Sequence, residues 1–331
     1  MLEHGGRLRR AARDSGIALE HWLDLSTGIN PHAYPVPPVP AQVWQRLPED
    51  DDGLEAAAAA FYGSAELLPV AGSQAAIQAL PAVLAGTRVR LLAPSYAEHA
   101  HAWRTRGGEA VSAAAMDDAV EHSDIVVLVQ PNNPSGERFS RERLLDWHQR
   151  LARRGGWLVV DEAFIDVSPQ ASLVPLAGAD GLVVLRSLGK FFGLAGARVG
   201  FVFAPAPIRN ALAAQLGPWA LSGPARHAAR CALGDFAWQA ATRTQLAAAG
   251  ERLARLLAES GLPPTGGTAL FQWVRHPEAA HLRDHFARHA ILVRCFDAPP
   301  ALRFGLPGDE AGWARLHAAL HAARGRKGSI S

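Results

Sequence analysis

A chain of 331 residues, 49% hydrophobic and 19% charged, can bury a substantial core and exceeds one ordinary domain, so two unequal domains are expected. Its formal net charge of +2 gives no general electrostatic case for nucleic acid or a membrane surface. The two cysteines, Cys231 and Cys295, lie far apart and suggest neither a disulfide framework nor a zinc site. No apolar run reaches the ~18 residues of a membrane helix, so a reducing cytoplasm is the expected setting.

The chain opens with a basic helical stretch at 8–15, an extended segment at 22–26 and a proline-dense course at 34–40. Fixed proline φ values there favour an extended arm crossing from one domain to another. From Gly53 to about Asp235 helical and strand patterns alternate, the signature of an α/β fold with a mostly parallel sheet covered on both faces. Helices are expected near 54–62, 74–84, 96–106, 140–154 and 207–216, and strands near 89–93, 124–130, 157–161, 181–186 and 199–203. A long helix at 238–260 then leads to a strand at 268–274, a helix at 278–289, an apolar run at 290–293, a strand at 301–305 and a helix at 309–323. The tail, 324–331, is expected to be disordered. The pattern predicts an arm, 1–45, joining a small α+β domain, 236–331, and a large domain, 46–235.

No Gly-x-Gly-x-x-Gly and no Gly-x4-Gly-Lys-Ser/Thr occurs, so nicotinamide and nucleoside-triphosphate readings lose their main support. The chemistry centres instead on Arg186-Ser187-Leu188-Gly189-Lys190-Phe191-Phe192-Gly193 and the residues up to Gly200. A lysine packed among glycines and phenylalanines is desolvated toward the free amine, the form that attacks an aldehyde. Ser187 and Arg198 flank Lys190 with a hydroxyl and a planar fork suited to one phosphate, which implies a phosphorylated aldehyde as cofactor. Gly72-Ser73-Gln74 opens an amphipathic helix whose free N–H groups suit an anion, although Ser73 also reads as a plain N-cap. Asp161 ends an apolar strand, where a carboxylate is costly unless paired or used as a cap. Segments 130–136, 161–164 and 187–190 all follow strand ends, the rim where ligands gather in such sheets.

Ser187-x-x-Lys190 with Gly196-x-Arg198-x-Gly200, preceded in order by Asn133-Pro134-Ser135-Gly136 and Asp161-Glu162-Ala163-Phe164, resembles the class I/II aminotransferases. These are fold-type I enzymes that use pyridoxal 5'-phosphate (PLP). The resemblance implies PLP on Lys190, its ring nitrogen on Asp161, its phenolic oxygen on Asn133, and its ring against Tyr96. The phosphate cup it implies is Ser73, Gln74, Ser187 and Arg198. It implies a homodimer, and Arg303 as the grip on a substrate α-carboxylate, where a solvated edge arginine is the rival reading.

His4-Gly5-Gly6 and the segment from Asp24 to Pro31 resemble the branch of that family that decarboxylates L-threonine O-3-phosphate in cobalamin biosynthesis. The implied substrate contacts are therefore His4, Gly5, Gly6, Gly28, Asn133 and Arg303. The expected activity is that of a PLP-dependent carbon-carbon lyase yielding (R)-1-amino-2-propanol O-2-phosphate. Amino transfer on a phosphorylated substrate such as histidinol phosphate is the alternative. Two positions depart from the pattern: aminotransferases commonly carry Tyr where Phe164 stands, and many relatives have Tyr at Leu47, where it reaches the partner subunit's cofactor phosphate. Ser187-x-x-Lys190 also spells a serine acyl-enzyme motif, but its Ser-Asp-Asn and Lys-Thr-Gly partners are missing. His281, His285 and His289 share one helical face, yet no carboxylate or cysteine completes a metal site there.

Overall fold

The computed structural model describes residues 2–325. In chain order the elements are α1 (Leu8–Ser15), β1 (Leu23–Leu25), α2 (Ala41–Gln45), α3 (Leu54–Tyr62), β2 (Leu67–Val70), α4 (Ser73–Val83), β3 (Val89–Leu92), α5 (Ala97–Trp103), β4 (Glu109–Val111), α6 (Met116–His122), β5 (Ile125–Val129) and α7 (Arg141–Ala152). There follow β6 (Trp157–Asp161), β7 (Leu182–Ser187), β8 (Gly200–Phe203), α8 (Ala206–Leu216), α9 (Gly223–Gly234), α10 (Phe236–Glu259), β9 (Gly266–Thr268), β10 (Phe271–Arg275), α11 (Ala279–Arg288), β11 (Ile291–Asp297), β12 (Pro300–Gly305) and α12 (Glu310–Gly325). Arg324 and Gly325, expected in a disordered tail, are instead the last residues of α12, and the rest of that tail, 326–331, lies outside the described residues. Among the described residues no helix is long and apolar enough to cross a membrane.

Backbone contacts divide the chain into a larger unit, 33–133 with 137–241, and a smaller one made of the first 32 residues, 134–136 and the chain from 242 on. These limits differ from the expected 45/46 and 235/236 for local reasons. β1 pairs in parallel with β11, Leu23 opposite Ile291, and so ties only the first residues to the smaller unit. Tyr34 belongs to the larger one: its N–H donates to the Phe192 carbonyl at 2.9 Å and its ring meets Trp238 edge-on at 5.2 Å. The second limit falls inside α10, a continuous helix in which no glycine or proline marks the place.

The larger unit is built on a seven-stranded sheet in the order β2-β8-β7-β6-β5-β3-β4, parallel except for β8. Its inner strands are nearly unbroken apolar runs, with every residue of β5 buried, as a sheet covered on both faces requires. The core against them includes Leu80, Trp103, Val127, Val159, Val183 and Val202. Elements without a periodic signature escape the sequence reading. β2 contains Pro69 and survives because it is an edge strand, where a missing N–H is tolerated. α9 is started by Ser222, whose Oγ accepts from Ala225 N–H at 3.4 Å, and by Pro224 in the first turn.

In the smaller unit the order is β1-β11-β12-β10-β9, with β12 in the middle. The strand expected at 268–274 is instead two, because Thr268 Oγ1 accepts from Leu270 N–H at 3.1 Å and the chain turns back, pairing Phe271 with Thr268.

One buried ionic cluster joins the ends of β6 and β7. Arg186 donates to Glu162 Oε2 at 2.9 Å and Ser172 Oγ at 3.2 Å, pairs with Asp166, and lies over the Tyr62 ring at 4.6 Å. Glu162 also accepts from the Ser172 hydroxyl at 2.5 Å and Leu173 N–H at 2.7 Å. Burial opposes the charge on Arg186, but Asp166 and Glu162 outweigh it and push its pKa up. Burial likewise raises the Glu162 carboxyl against the pull of Arg186. Arg186→Ala would leave two buried carboxyls without their cation, and we expect a loss of about 3–5 kcal/mol in urea unfolding. A loss below about 1 kcal/mol would show that the cluster does not hold the rim.

Candidate active site

β5, β6 and β7 are adjacent and parallel, with Val129 opposite Asp161 and Asp161 opposite Leu185, so their carboxyl ends share one rim. A cavity at this rim is lined by all eight residues singled out for a cofactor: Ser73, Gln74, Tyr96, Asn133, Asp161, Ser187, Lys190 and Arg198.

An anion cup is built where α4 begins. Gly72 precedes Ser73 with φ +72°, and Arg198 itself takes the left-handed conformation at φ +55°. A Cβ on Gly72 would lie 2.7 Å from Arg198 Nη2, and one on Gly200 would lie 2.5 Å from Ser73 N. Only the missing side chains let the guanidinium and the helix N-terminus crowd together with Ser187, whose Oγ accepts from Gly189 N–H at 3.2 Å.

Lys190 is half-buried, and its Nζ stands 5.5 Å from the centroid of the Phe164 ring. The phenylalanines that follow it turn away into the core, Phe192 stacking on Trp238 at 5.7 Å. Phe164 is therefore the apolar neighbour of the amine, and it brings no hydroxyl.

Asp161 is buried and doubly held. Its Oδ1 accepts from Ala163 N–H at 3.0 Å and its Oδ2 lies 3.0 Å from His99 Nε2, also buried. Nothing local in the sequence connects His99 with Asp161, which is 62 positions away. The available signal was spacing: Tyr96 and His99 stand three residues apart at the start of α5, hence on one face, and their rings meet edge-on at 6.1 Å. Tyr96 donates to Gln74 Oε1 at 3.2 Å, and Gln74 donates to Glu98 at 2.9 Å. Burial, then Glu98 and Asp161, push the Tyr96 phenol up to about 12, so it remains a donor. Beside Asn133, the turn bonding falls to Asn132, which donates to Pro94 O at 2.8 Å and accepts from Ser95 Oγ at 2.7 Å.

The other expected residues belong to the smaller unit. Arg303 is not a solvated edge residue: β12 is central, Arg303 is buried, and its Nη2 donates to Ser26 O at 2.7 Å. Burial, then Arg294, push its pKa down to about 10. His4 and Gly5 are docked rather than loose. A Cβ on Gly5 would run into Ser26 O, and Gly6, at φ +78°, donates its N–H to Ser26 Oγ at 2.7 Å. They line a second cleft, of about 300 Å³, together with Arg294, whereas Gly6 and buried Gly28 line neither cavity. Arg294 stands directly opposite Arg303 in the β11–β12 register and was missed because nothing local distinguishes it. His285 and His289 spend ring nitrogens on the carbonyls of Ala319 and His285, and no metal-holding cluster is found among the described residues.

Residues 46–320 match the family described as aminotransferase class I and II. A threonine-phosphate decarboxylase of Pseudomonas aeruginosa is 56% identical over 322 residues, 97% of each chain. Another, from a Sinorhizobium species, is 42% identical over 329 residues, 96% of this chain and 97% of that one. The chain belongs to the class I and II aminotransferase family. Its fold matches that of histidinol-phosphate aminotransferase from Sinorhizobium meliloti in complex with PLP, at a TM-score of 0.78 over 97% of this chain and 98% of that one. Their 20% identity bears on the fold alone.

All three tyrosines, Tyr34, Tyr62 and Tyr96, have phenol pKa values raised above the usual 10, by burial first in each case. The unfolded chain then releases phenol protons at a pH where the folded chain keeps them, so this stability is whole below about pH 10 and is lost as the pH rises further. Ultraviolet difference titration should show no tyrosinate at about pH 10, and its later appearance should coincide with loss of the native circular dichroism. Reversible ionisation of all three with the fold intact would refute it.

Proposed function

We propose that the protein is a PLP-dependent lyase that decarboxylates L-threonine O-3-phosphate to (R)-1-amino-2-propanol O-2-phosphate, a step of cobalamin biosynthesis. The observation that carries this reading is the cavity at the β5–β7 rim, whose donor set suits PLP group by group, in a chain 56% identical over nearly its whole length to a threonine-phosphate decarboxylase. Ser73, Ser187 and Arg198 form the cup for the phosphate, and a Cβ at Gly72 or Gly200 would fill it. Asp161 is the carboxylate for the ring nitrogen, Asn133 the amide for the phenolic oxygen, Tyr96 the ring to stack against, and Lys190 the amine for the aldehyde. When bound, PLP supplies an electron sink for the pair left at the substrate Cα when a bond there breaks.

The chain's own residues determine what that sink is used for. His99 and Ala163 N–H fix the direction of the Asp161 carboxylate, so its charge is aimed before anything binds. The Tyr96 phenol, tethered to Gln74, keeps its ring in one orientation. Two anchors on the substrate, one for the carboxylate and one for the phosphate, set rotation about Cα–N, and that rotation selects the bond that breaks. Arg303 serves the carboxylate; the cleft at His4, Gly5 and Arg294 serves the phosphate. A firm ion pair to Arg303 would hold the carboxylate back, so that contact must weaken as carbon dioxide leaves. Lys190 Nζ then moves a proton to Cα.

The alternative, amino transfer on a phosphorylated substrate such as histidinol phosphate, uses the same fold and the same lysine segment, and fold cannot separate them. Incubation with L-threonine O-3-phosphate should release carbon dioxide, and incubation with histidinol phosphate plus 2-oxoglutarate should yield no glutamate. Lys190→Ala should abolish the reaction together with the yellow adduct that borohydride reduces. Glutamate without carbon dioxide would replace the lyase by the aminotransferase.

A homodimer is part of the proposal. On the larger unit Trp44, Leu47 and Trp219 are 69%, 63% and 59% exposed, and large apolar side chains held in water are the composition of an interface core. Light scattering should give twice the chain mass; a fully active monomer would refute the dimer.

A further inference from the structure

The cleft of about 300 Å³ in the smaller unit lies between α1 and β11 and is lined by four arginines, Arg7, Arg10, Arg283 and Arg294. An anion of the chain's own sits among them. Arg294 Nη1 donates to Glu3 Oε2 at 3.3 Å and its Nη2 to the Glu3 carbonyl at 2.7 Å, while Arg10 Nη1 stands 3.8 Å from Glu3 Oε1. Arg10 is shared with Asp14 at 3.5 Å, and Arg283 is taken by Asp284 at 2.7 Å, so Arg294 is the cation that Glu3 chiefly occupies. The position is built: the backbone carrying Glu3 is seated by Gly5 against Ser26 and by the Gly6 N–H on Ser26 Oγ, which in turn donates to Asp24 Oδ1 at 2.6 Å.

The two partners are unequal. The Arg294 side chain is 19% exposed and held over the Phe296 ring at 5.1 Å, whereas the Glu3 side chain is 66% exposed. Displacing Glu3 returns a carboxylate to water at little cost, but the guanidinium stays in place and needs another anion. A tethered carboxylate competes at an effective concentration in the millimolar range, so a free carboxylate of equal charge gains little by replacing it. A phosphate carries nearly twice the charge and three acceptor oxygens, enough to engage Arg294 and Arg10 together. A hydroxyl in the same place offers no charge at all.

We propose that Glu3 is a specificity-determining residue, a tethered carboxylate on Arg294 and Arg10 that a phosphate dianion displaces and a neutral or singly charged group does not. It rests on reading this cleft as the anchor for the substrate's phosphate. Discrimination then comes from competition within the chain as well as from attraction to the ligand.

The test uses PLP-saturated enzyme and inorganic phosphate as the probe, followed by calorimetry. Glu3→Gln keeps the size and removes the charge. It should bind phosphate roughly two- to fivefold more tightly, the fold-change that matches a partly exposed ion pair. With it, the preference in kcat/KM for threonine phosphate over threonine should narrow. Arg294→Gln should weaken phosphate binding, and the gain from Glu3→Gln should vanish when Arg294→Gln is also present. Equal phosphate affinity in the native enzyme and Glu3→Gln would overturn the proposal, as would a gain that survives Arg294→Gln. If native enzyme releases no carbon dioxide from threonine phosphate yet Glu3→Gln still tightens phosphate through Arg294, the decarboxylase reading falls and the role of Glu3 stands.

Discussion

The larger unit depends on a guanidinium buried between two carboxyls. Arg186 and Glu162 are the immediate chain neighbours of Ser187 and Asp161, and side chains alternate along a strand, so each of these pairs has one member for the ionic cluster and one for the cavity. A hydrogen-bonded ion pair of this kind tolerates little sliding between β6 and β7. Buried ion pairs are weak sources of net stability, because two desolvation costs offset the attraction, but they are exacting about geometry. Here that geometry is passed directly to Asp161 and Ser187, which line the cavity at the rim.

How far the chain could be read without coordinates follows from the range of the signals involved. Strands β5, β6 and β7 announce themselves as continuous apolar runs, and the motifs at their ends are local in sequence, so Asp161, Ser187 and Lys190 were legible together. β2, with its internal proline, and β4, only three residues long, have no such signature and owe their existence to the neighbours they pair with. His99 was visible as a residue and invisible as a partner, since its bond to Asp161 spans 62 positions. Arg294 was hidden for the same reason: only the register of β11 against β12 sets it opposite Arg303. The contact boundary at 241/242 falls inside a continuous helix, a place that composition cannot mark.

Glycine does different work in the two units. At Gly72 and Gly200 it removes side chains from a cup, so that a guanidinium and a helix N-terminus can face one anion. At Gly5 it lets the start of the chain press against the backbone of Ser26, and the Gly6 N–H fixes the same stretch to Ser26 Oγ. In both cases the sequence feature is an absence of Cβ, and its meaning appears only when the atoms that would collide with one are known.

Under the proposed function, the choice of reaction rests on residues beyond those that would hold the cofactor. Asp161, Asn133 and Lys190 suit any chemistry at an amino-acid Cα, so they carry no information about which bond breaks. Phe164 withholds a hydroxyl from the neighbourhood of Lys190 Nζ, leaving the amine without that competing proton donor. Arg303 and Arg294 stand opposite one another on adjacent strands and repel, which is part of why Arg303 is held near a pKa of about 10. Two like charges set in register are unfavourable alone; Arg303 is the buried one, and Arg294, 19% exposed, is already paired with Glu3. Under the proposed function, a substrate bearing a carboxylate and a phosphate would bring an anion to Arg303 and replace Glu3 on Arg294, whereas one bearing only a carboxylate would leave Glu3 in place. On that same proposed function, the strand register itself would favour a doubly anionic substrate before any contact specific to the carbon skeleton is considered.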